Sequence, residues 1–447
     1  MGTLKAGFAR IDITPPIGVG LVGYYRLRES VGILDPLLAT AVAVSDGEST
    51  AVMMSLDLIG IDQVTVNRIR YGVAEKCGIP HEAVFVACTY THLAHGVATS
   101  YIRPDDAEKQ RHVDMLIEKA IGVAKMAISD LKDAEMYVNA AETPVDISFI
   151  RRFRMKDGSC ATNPGWLNPN IDHALGEPDK RVALTYFKRE GAPEIAIINF
   201  QVHPDMVSGC LMSADYPHFV RSTYEKVIPD SLCMYINGAQ GDTNHINVKT
   251  PEHMLRKGYA MAQHAGRTIA GTAIALYAMA EKIEGCPVKG MEINIEVPFN
   301  KAETPEELAE AKHIKMLYDE NRTVEIPIPE GHGAMSRTTA IAGACRAVSL
   351  ENEPDLKTLR VTGIRVGEFA LVGFPGEPFT EIGRQVKASS DYKMTYIACC
   401  ANGYEGYYPS ASAMEEGGYE AAASRYKKGT AEKLIETGKQ ILKEMKD

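Results

Sequence analysis

The sequence lacks the features that would direct it to a membrane or to nucleic acid. No stretch of its 447 residues reaches the roughly 18 uncharged apolar residues needed to cross a bilayer. It has no long run of lysine or arginine, and its formal net charge is -10, which disfavours binding to phosphate-rich surfaces. We therefore expect no nucleic-acid partner and no membrane insertion.

The sequence also lacks an export signal and a cysteine framework. Residues 1–8 carry one lysine and run directly into a predicted strand, without an apolar core and a small-residue cleavage site. The nine cysteines are scattered, apart from the adjacent Cys399 and Cys400, and their odd number argues against disulfide pairing or a CxxC metal site. These observations predict a soluble, cytoplasmic protein with reduced thiols, and they leave open whether it forms a homo-oligomer.

Short apolar runs rich in β-branched residues alternate with amphipathic stretches along the chain. Strands are predicted at residues 38–44, 51–55, 83–86, 181–186, 195–200, 361–366 and 369–372, and helices at 65–76, 106–131, 217–227, 251–282, 305–320 and 430–445. The alternation predicts a mixed α/β fold with a central β-sheet flanked by helices. Because no low-complexity linker divides the chain, we expect one domain over residues 1–447.

Residues 322–352 depart from this pattern. Pro327, Pro329, Gly331, Gly333 and Gly343 are expected to break any long element there. We interpret the segment as a lid or an insertion.

Two histidine-bearing segments follow predicted strands, the position at which α/β proteins tend to build their sites. In residues 89–95 (TYTHLAH), His92 and His95 could bind one cation or could make ordinary hydrogen bonds. The second segment ends a strand at His203, just before a proline, and Asp205 could hold that imidazole ring from behind.

Three further segments carry polar groups that suit chemistry. The glycine-punctuated loop at 237–247 contains Asn244 and His245, and either aims donors at an anionic intermediate or forms a tight turn. Glu377 precedes a predicted helix and is either an oxygen ligand for a metal or a favourable charge at the helix N-terminus. Tyr407 and Tyr419 lie in a tyrosine-rich region that suits a pocket wall, and a phenolate ligand would need a cation beside it.

Arg151 and Arg152 are adjacent in a predicted strand, so their side chains point to opposite faces. One of them can point into a pocket and grip an anionic or carbonyl group, and we expect the other to lie in solvent.

Taken in order, these segments resemble the catalytic domain of the neutral/alkaline ceramidase family, beginning with residues 6–16 (AGFARIDITPP) and covering nearly the whole chain. The resemblance implies one zinc ion bound by His92, His203, Glu377 and Tyr407, with Tyr419 lining the pocket. The family motif THTHSGPG reads TYTHLAHG here, so a tyrosine replaces one of its histidines. His95 replaces a small residue and stays an alternative ligand or a proton shuttle.

The resemblance breaks at the family nucleophile. The ceramidases carry a serine in a GDVSPN-like loop, and Asn244 stands at that serine position in residues 241–246 (GDTNHI). Because an amide cannot attack a carbonyl, hydrolysis would need a water activated by the metal. Asn244, Tyr419 and Arg151 would then stabilise the developing charge, and His95 or His245 would move the proton. We also find no match to the C-terminal immunoglobulin-like domain of the ceramidases, so we expect a substrate other than ceramide.

These inferences lead to a function hypothesis: zinc-dependent hydrolysis of an amide or related acyl bond in a small polar molecule. A zinc-dependent isomerase or lyase acting on a sugar or hydroxy-acid is one alternative, since a Lewis acid beside a base can also enolise a substrate. A binding protein that has kept the fold without catalysis is the other.

Overall fold

A computed structural model describes residues 3–26, 28–97, 107–328 and 335–447. Within these residues the helices are, in chain order, α1 (Gln63–Cys77), α2 (Ala107–Ser129), α3 (Tyr216–Val227), α4 (Tyr259–Tyr277), α5 (Pro305–Asp319), α6 (Met335–Ser349), α7 (Thr380–Ala388), α8 (Ala411–Glu416), α9 (Tyr419–Ala423) and α10 (Thr430–Lys446). The strands are β1 (Lys5–Asp12), β2 (Gly20–Leu21), β3 (Arg28–Glu29), β4 (Gly32–Ile33), β5 (Leu38–Ser45), β6 (Thr50–Leu56), β7 (Val84–Cys88), β8 (Lys132–Glu142), β9 (Phe149–Ile150), β10 (Arg152–Met155), β11 (Cys160–Thr162), β12 (Ile171–Ala174), β13 (Arg181–Arg189), β14 (Glu194–Phe200), β15 (Leu211–Met212), β16 (Ser231–Asn237), β17 (Thr243–Asn244), β18 (Glu281–Ile283), β19 (Val288–Pro298), β20 (Leu356–Val366), β21 (Phe369–Gly373), β22 (Glu377–Pro378), β23 (Met394–Ala398) and β24 (Tyr407–Tyr408).

Two β-sheets packed face to face form the centre of the fold. The large sheet has the strand order β16-β14-β13-β8-β1-β5-β6-β7, and β18 pairs with β8. The small sheet has the order β19-β20-β21-β23. Both sheets mix parallel and antiparallel pairs: β14 runs parallel to β16, whereas β13 runs antiparallel to β14. The predicted mixed α/β class, with central sheet structure flanked by helices, is confirmed.

The alternation of side chains along each strand explains the layers. In β5, Ala41 and Ala43 pack into a core with α1 and α2, whereas Val42 and Val44 pack between the two sheets. Helices α3 and α4 pack against the same outer face of the large sheet around Leu184. Helices α7 and α10 cover the outer face of the small sheet. The result is four layers, in the order helix, sheet, sheet, helix. None of the helices in the described part of the chain is long and apolar enough to cross a membrane.

Local sequence signals set several helix ends. The carboxylate of Asp62 accepts a hydrogen bond from the backbone N–H of Thr65 at the start of α1, and Gly78 ends that helix in the left-handed region. Thr304 caps α5 by accepting from the N–H of Glu307, with a proline at the first helical position. These side chains satisfy backbone groups that a helix end leaves without partners.

The structure corrects two predictions about helices. The helix expected over 251–282 begins only at Tyr259, because residues 251–258 form turns that end at Gly258 with a φ of 93°. Residues 322–352, expected to hold no long element, contain the 15-residue helix α6. Gly343 lies inside α6 and faces Ala422 on α9, where a Cβ would be in ordinary contact at 3.7 Å, so this single glycine does not break the helix. Pro329, Gly331 and Gly333 lie outside the described residues.

Candidate active site

Three loops that follow strands of the large sheet meet at one place. Strands β14 and β16 are parallel neighbours, with Phe200 opposite Asn237, so the loops that follow them leave the same edge of the sheet. The side chain of Asn237 donates a 3.1 Å hydrogen bond to the carbonyl of Thr89, the first residue after β7. This contact joins the third loop to the other two.

His203 follows β14 and is fully buried. Its Nδ1 lies 2.9 Å from the carbonyl oxygen of Gln240 and 3.0 Å from that of Thr243. Because carbonyl oxygens only accept, Nδ1 carries a proton, and Nε2 is the ring nitrogen that faces the site. The expectation that Asp205 holds this ring is wrong, since backbone carbonyls of the next loop do so.

Glu377 and Tyr407 are neighbours because β22 and β24 form a short parallel ladder in which these two residues face each other. Glu377 Oε2 lies 3.2 Å from Nε2 of His203, and the Tyr407 hydroxyl lies 3.4 Å from the same atom. Gly376 has a φ of 155°, and a Cβ there would lie 2.4 Å from the carbonyl oxygen of Gly406. Glycine is therefore required for the two short strands to approach each other.

Glu377 does not act as the cap of the following helix. The backbone N–H of Thr380, the first residue of α7, donates a 2.7 Å hydrogen bond to the carboxylate of Asp242 instead. Burial by itself would raise the pKa of Glu377, but hydrogen bonds with His203 and Tyr90 and the charge of Arg151 outweigh it and lower the pKa. The carboxylate is therefore ionised at neutral pH.

Arg151 is buried beside this cluster and is held from three sides. Its Nε donates to Glu420 at 2.6 Å and its Nη2 donates to the carbonyl of Gly241 at 2.9 Å. Its Nη1 lies 3.1 Å from Nε2 of His203, and its guanidinium carbon lies 5.4 Å from the ring centroid of Tyr407. The arginine thus places a fixed positive charge at the centre of the site.

The prediction that Arg152 lies in solvent is wrong. Arg152 is 2% exposed, because α8 and the turn after it cover the strand from that side. Its Nη2 donates to the carbonyls of Ala413 and Gly417 at 3.1 and 2.9 Å and lies 3.2 Å from Glu416. Both arginines of the pair are therefore buried, and both lie near Glu420, whose Oε1 is 2.6 Å from Nε of Arg151 and whose Oε2 is 3.7 Å from Nε of Arg152.

His92 lies at the mouth of the cluster, between aromatic rings. Its ring centroid is 5.0 Å from that of Tyr24 and 5.9 Å from that of His203. Both of its ring nitrogens are buried and make no hydrogen bond within the described residues. Burial lowers the pKa of His92 to about 4, so the imidazole is neutral at neutral pH and both nitrogens are orphaned polar atoms.

The remaining predicted residues divide between the site and its surroundings. Tyr419 begins α9, and its ring centroid is 5.7 Å from that of Tyr407. His95 is not brought to the cluster, because its side chain lines a separate small cavity with His112 and Met115 of α2. Asn244 is fully buried, with its amide donating to Asn163 and its side-chain oxygen accepting from the N–H of Ile246.

His245 pairs with a carboxylate. Its Nδ1 lies 3.3 Å from Oδ1 of Asp205. Burial by itself would raise the pKa of Asp205, but His245, His203 and His92 outweigh it and hold the pKa well below its ordinary value. Asp205 therefore adds a negative charge to the His92 side of the site.

Sequence reasoning missed three residues that hold Glu377. The hydroxyls of Tyr90 and Tyr404 donate to Oε1 at 2.5 and 2.8 Å, and Nε2 of Gln240 lies 3.3 Å from Oε2. A signal did exist for the first two: Tyr90 replaces a histidine of the family motif, and Tyr404 belongs to the tyrosine-rich stretch before Tyr407. The contact itself could not be read from positions 287 and 27 residues away from Glu377.

The donor set can be tested for its fit to a metal ion. In the part of the chain that the structure describes, no group of three or more His, Cys, Asp or Glu side chains lies close enough together to hold a metal by itself. The cluster at His203 combines two such side chains with a phenol. Tetrahedral zinc ligands at about 2.1 Å from the metal lie about 3.4 Å apart, and the oxygens of Glu377 and Tyr407 lie 3.2 and 3.4 Å from Nε2. These two spacings fit zinc, and His92 lies beside the three groups with unpaired nitrogens.

The comparisons with known proteins agree with this architecture. No protein-family model and no curated protein matches the sequence. Neutral ceramidase from Pseudomonas aeruginosa matches in structure with a TM-score of 0.72 and 16% sequence identity, over 99% of this chain and 74% of that chain. A ceramidase complexed with C2 matches with a TM-score of 0.71 and 15% identity, over 100% of this chain and 76% of that one. The chain therefore has the fold of neutral ceramidase over nearly its whole length, as the ordered motifs predicted.

Proposed function

We propose that this protein is a zinc-dependent hydrolase that cleaves an amide or related acyl bond in a small polar substrate. One observation carries the proposal: the carboxylate of Glu377 and the phenol of Tyr407 both approach Nε2 of His203, although the three residues are far apart in sequence. The likeness in fold to neutral ceramidase, whose name denotes amide cleavage, supports the reaction class.

His203, Glu377 and Tyr407 would hold the ion, with His92 as the fourth ligand. Zinc supplies a Lewis acid that polarises a carbonyl and makes a water molecule acidic enough to attack near neutral pH. The unpaired nitrogens of His92 support its place in this set, because buried polar atoms without partners are rare unless a ligand satisfies them.

The protein's own groups would stabilise the charge that develops on the substrate. Arg151 is fixed by Glu420 and Gly241, so its guanidinium needs no reorganisation when negative charge appears nearby. We assign the hydroxyl of Tyr419 as the second donor. The Tyr419 ring lies against that of Tyr407, and the guanidinium of Arg151 lies beside it.

We assign proton transfer to His245 instead of His95. His245 lies next to Asn244 in the site loop and is oriented by Asp205, whereas His95 lines the separate cavity against α2. Asn244 would act by holding the loop, because its amide is already bonded to Asn163 and Ile246.

The helical hairpin formed by α5 and α6 supports a lid over the site. Helix α6 packs against α9, which begins with Tyr419. On the other side, the ring of Tyr318 on α5 lies 6.1 Å from that of Tyr25, which is next to Tyr24 in the loop over His92. We propose that residues 322–352 close the site between these two contacts.

The test is a metal analysis followed by a substrate screen. Purified protein is analysed for bound zinc and is then assayed against N-acyl amino acids, lactams and ceramide, with and without a chelator. We expect about one zinc per chain and chelator-sensitive hydrolysis of a small substrate in preference to ceramide. Full zinc occupancy without hydrolysis of any substrate class would contradict the reaction, and the absence of zinc would contradict the site.

A zinc-dependent isomerase or lyase is the second candidate, favoured by the absence of the family serine at Asn244. Exchange of a solvent deuteron into a carbon position of a sugar or hydroxy-acid would identify that chemistry. Hydrolysis gives no such exchange.

A further inference from the structure

The carboxylate of Glu377 is held from behind by two phenols. The hydroxyl of Tyr90 donates to Oε1 at 2.5 Å, and that of Tyr404 donates to the same oxygen at 2.8 Å. The two hydroxyls lie 3.3 Å apart. Oε1 therefore has both lone pairs occupied, whereas Oε2 faces Nε2 of His203 at 3.2 Å and has one longer contact, with Nε2 of Gln240 at 3.3 Å.

Tyr90 is held in this position at a conformational cost. Its φ is 74°, in the left-handed region that bulky aromatic residues rarely occupy. Two backbone hydrogen bonds fix the chain at this point: the N–H groups of Thr89 and Tyr90 donate to the carbonyls of Leu56 and Leu58, each at 2.9 Å. The surrounding structure therefore imposes the conformation that aims the hydroxyl at Glu377.

Tyr404 depends on a glycine for its position. A Cβ at Gly60 would lie 2.7 Å from Cγ of the Tyr404 ring. The ring therefore reaches Glu377 only because residue 60 has no side chain. Two independent backbone features thus place two hydroxyls on one carboxylate oxygen.

We infer that Tyr90 and Tyr404 are positioning residues that oblige Glu377 to offer a single oxygen, Oε2, to the ion at His203 and Tyr407. The inference rests on the metal-binding function proposed above and adds a selectivity to it. A carboxylate restricted to one oxygen suits a four-coordinate ion such as zinc. It disfavours Ca²⁺, which takes 6–8 oxygen ligands and often binds carboxylates through both oxygens.

The test compares zinc and Ca²⁺ binding in Tyr90→Phe, Tyr404→Phe and the double variant, using chelator competition. Because outer hydrogen bonds typically contribute 10–100-fold to metal affinity, we expect each single variant to bind zinc about tenfold or more weakly, and the double variant to lose more. We also expect the ratio of zinc to Ca²⁺ affinity to fall. Co²⁺ substituted for zinc gives a second readout, since its visible absorption reports a change from one to two carboxylate oxygens.

Tyr396→Phe is the matched control. Tyr396 is fully buried and its hydroxyl also donates within the core, with the carbonyls of Ile197 and Ala183 as acceptors at 2.8 and 3.1 Å, but it lies outside the site. We expect this variant to lose stability without losing zinc affinity. Equal zinc affinity in wild type and Tyr90→Phe, or an equal loss in Tyr396→Phe, would overturn this inference alone. A wild-type protein that binds no zinc would overturn the proposed function and this inference together.

Discussion

Tyr407 lies directly opposite Glu377 in a two-residue parallel ladder, and both side chains face Nε2 of His203. The ladder fixes the spacing of the two oxygen donors through the backbone, so neither side chain depends on its own rotamer alone. Such backbone support is what holds a catalytic or metal-binding group within a fraction of an ångström of its working position. The geometry leads to four predictions.

Glu377→Gln should abolish stoichiometric zinc binding. The amide would keep the size of the side chain but would lose the charge that makes Oε2 a good ligand. We expect zinc affinity to fall by more than about 100-fold, beyond the 10–100-fold typical of outer contacts. Glu381→Gln, an exposed site on α7, is the control and should bind zinc like the wild type. Full zinc occupancy in Glu377→Gln, measured by elemental analysis, would contradict the assignment.

Gly23→Ala should displace His92. Gly23 has a φ of 104°, and its Cβ would lie 2.6 Å from Nδ1 of His92. Gly18 has a matching φ of 100°, but its Cβ would meet only an atom of Glu29 at 3.8 Å. Both alanine variants should lose about 1–2 kcal/mol of stability from backbone strain.

Only Gly23→Ala should also weaken zinc binding and slow hydrolysis, by up to about 100-fold for a displacement near 1 Å. Thermal unfolding and zinc titration of the two variants separate the effects. If Gly18→Ala and Gly23→Ala behaved alike in zinc titration, His92 would not be a ligand.

Arg151→Lys should reduce kcat more than it changes KM. A lysine has one ammonium group and cannot reach Glu420, Gly241 and the His203 side together. Loss of a preorganised donor typically lowers kcat by about 100-fold or more. Arg154→Lys, in β10 three residues further along the chain and partly exposed, is the control. A rise in KM at unchanged kcat would show that Arg151 only binds the substrate.

Asp179 should make the protein sensitive to acid. Burial by itself would raise the pKa of Asp179, but Lys387 and Arg181 outweigh it and lower the pKa to about 2. Because the folded pKa lies below the unfolded value of about 3.9, the carboxylate stabilises the fold above pH 4 and loses this contribution as the pH falls toward 2. The loss is about 2–3 kcal/mol, since one pKa unit corresponds to about 1.4 kcal/mol.

Urea unfolding of wild type and Asp179→Asn at pH 7, 4 and 2.5 measures this contribution. The gap in stability between the two proteins should narrow by about 1.4 kcal/mol between pH 4 and 2.5, because the folded-state carboxylate is still mostly ionised at pH 2.5. Asp172→Asn, at a side chain that is 58% exposed, should show no such narrowing. Parallel curves for Asp179→Asn and wild type would contradict the prediction.

Most of the predicted strands and helices could be read from local patterns. The apolar run at residues 195–200 and the amphipathic stretch at 305–320 coincide with β14 and α5 to within one residue at each end. Side-chain periodicity and capping residues are local signals, so they survive without knowledge of the fold. Gly343 misled the prediction for 322–352, because one glycine weakens a helix by only about 1 kcal/mol and the packing of α6 on α5 and α9 outweighs it.

Burial of polar residues was predicted less well. Alternation along a predicted strand placed Arg152 in solvent, whereas α8 and the following turn in fact cover it, and Arg151 itself lies just before β10. A strand has two faces, and only the tertiary structure determines whether one of them meets water. The same holds for His95, which lies three residues from His92 and faces a different cavity.

The sequence by itself determined which chemical groups stand at the ends of strands: His203 after β14, Asn244 in the loop after β16 and Glu377 after β21. Tertiary structure alone decided which atoms of those groups face the site. Nδ1 of His203 and Oε1 of Glu377 are already bonded, and Nε2 and Oε2 are left facing each other. Hydrogen bonds between residues that are far apart in sequence determine which atoms these are, because each buried donor or acceptor needs a partner that is close in space.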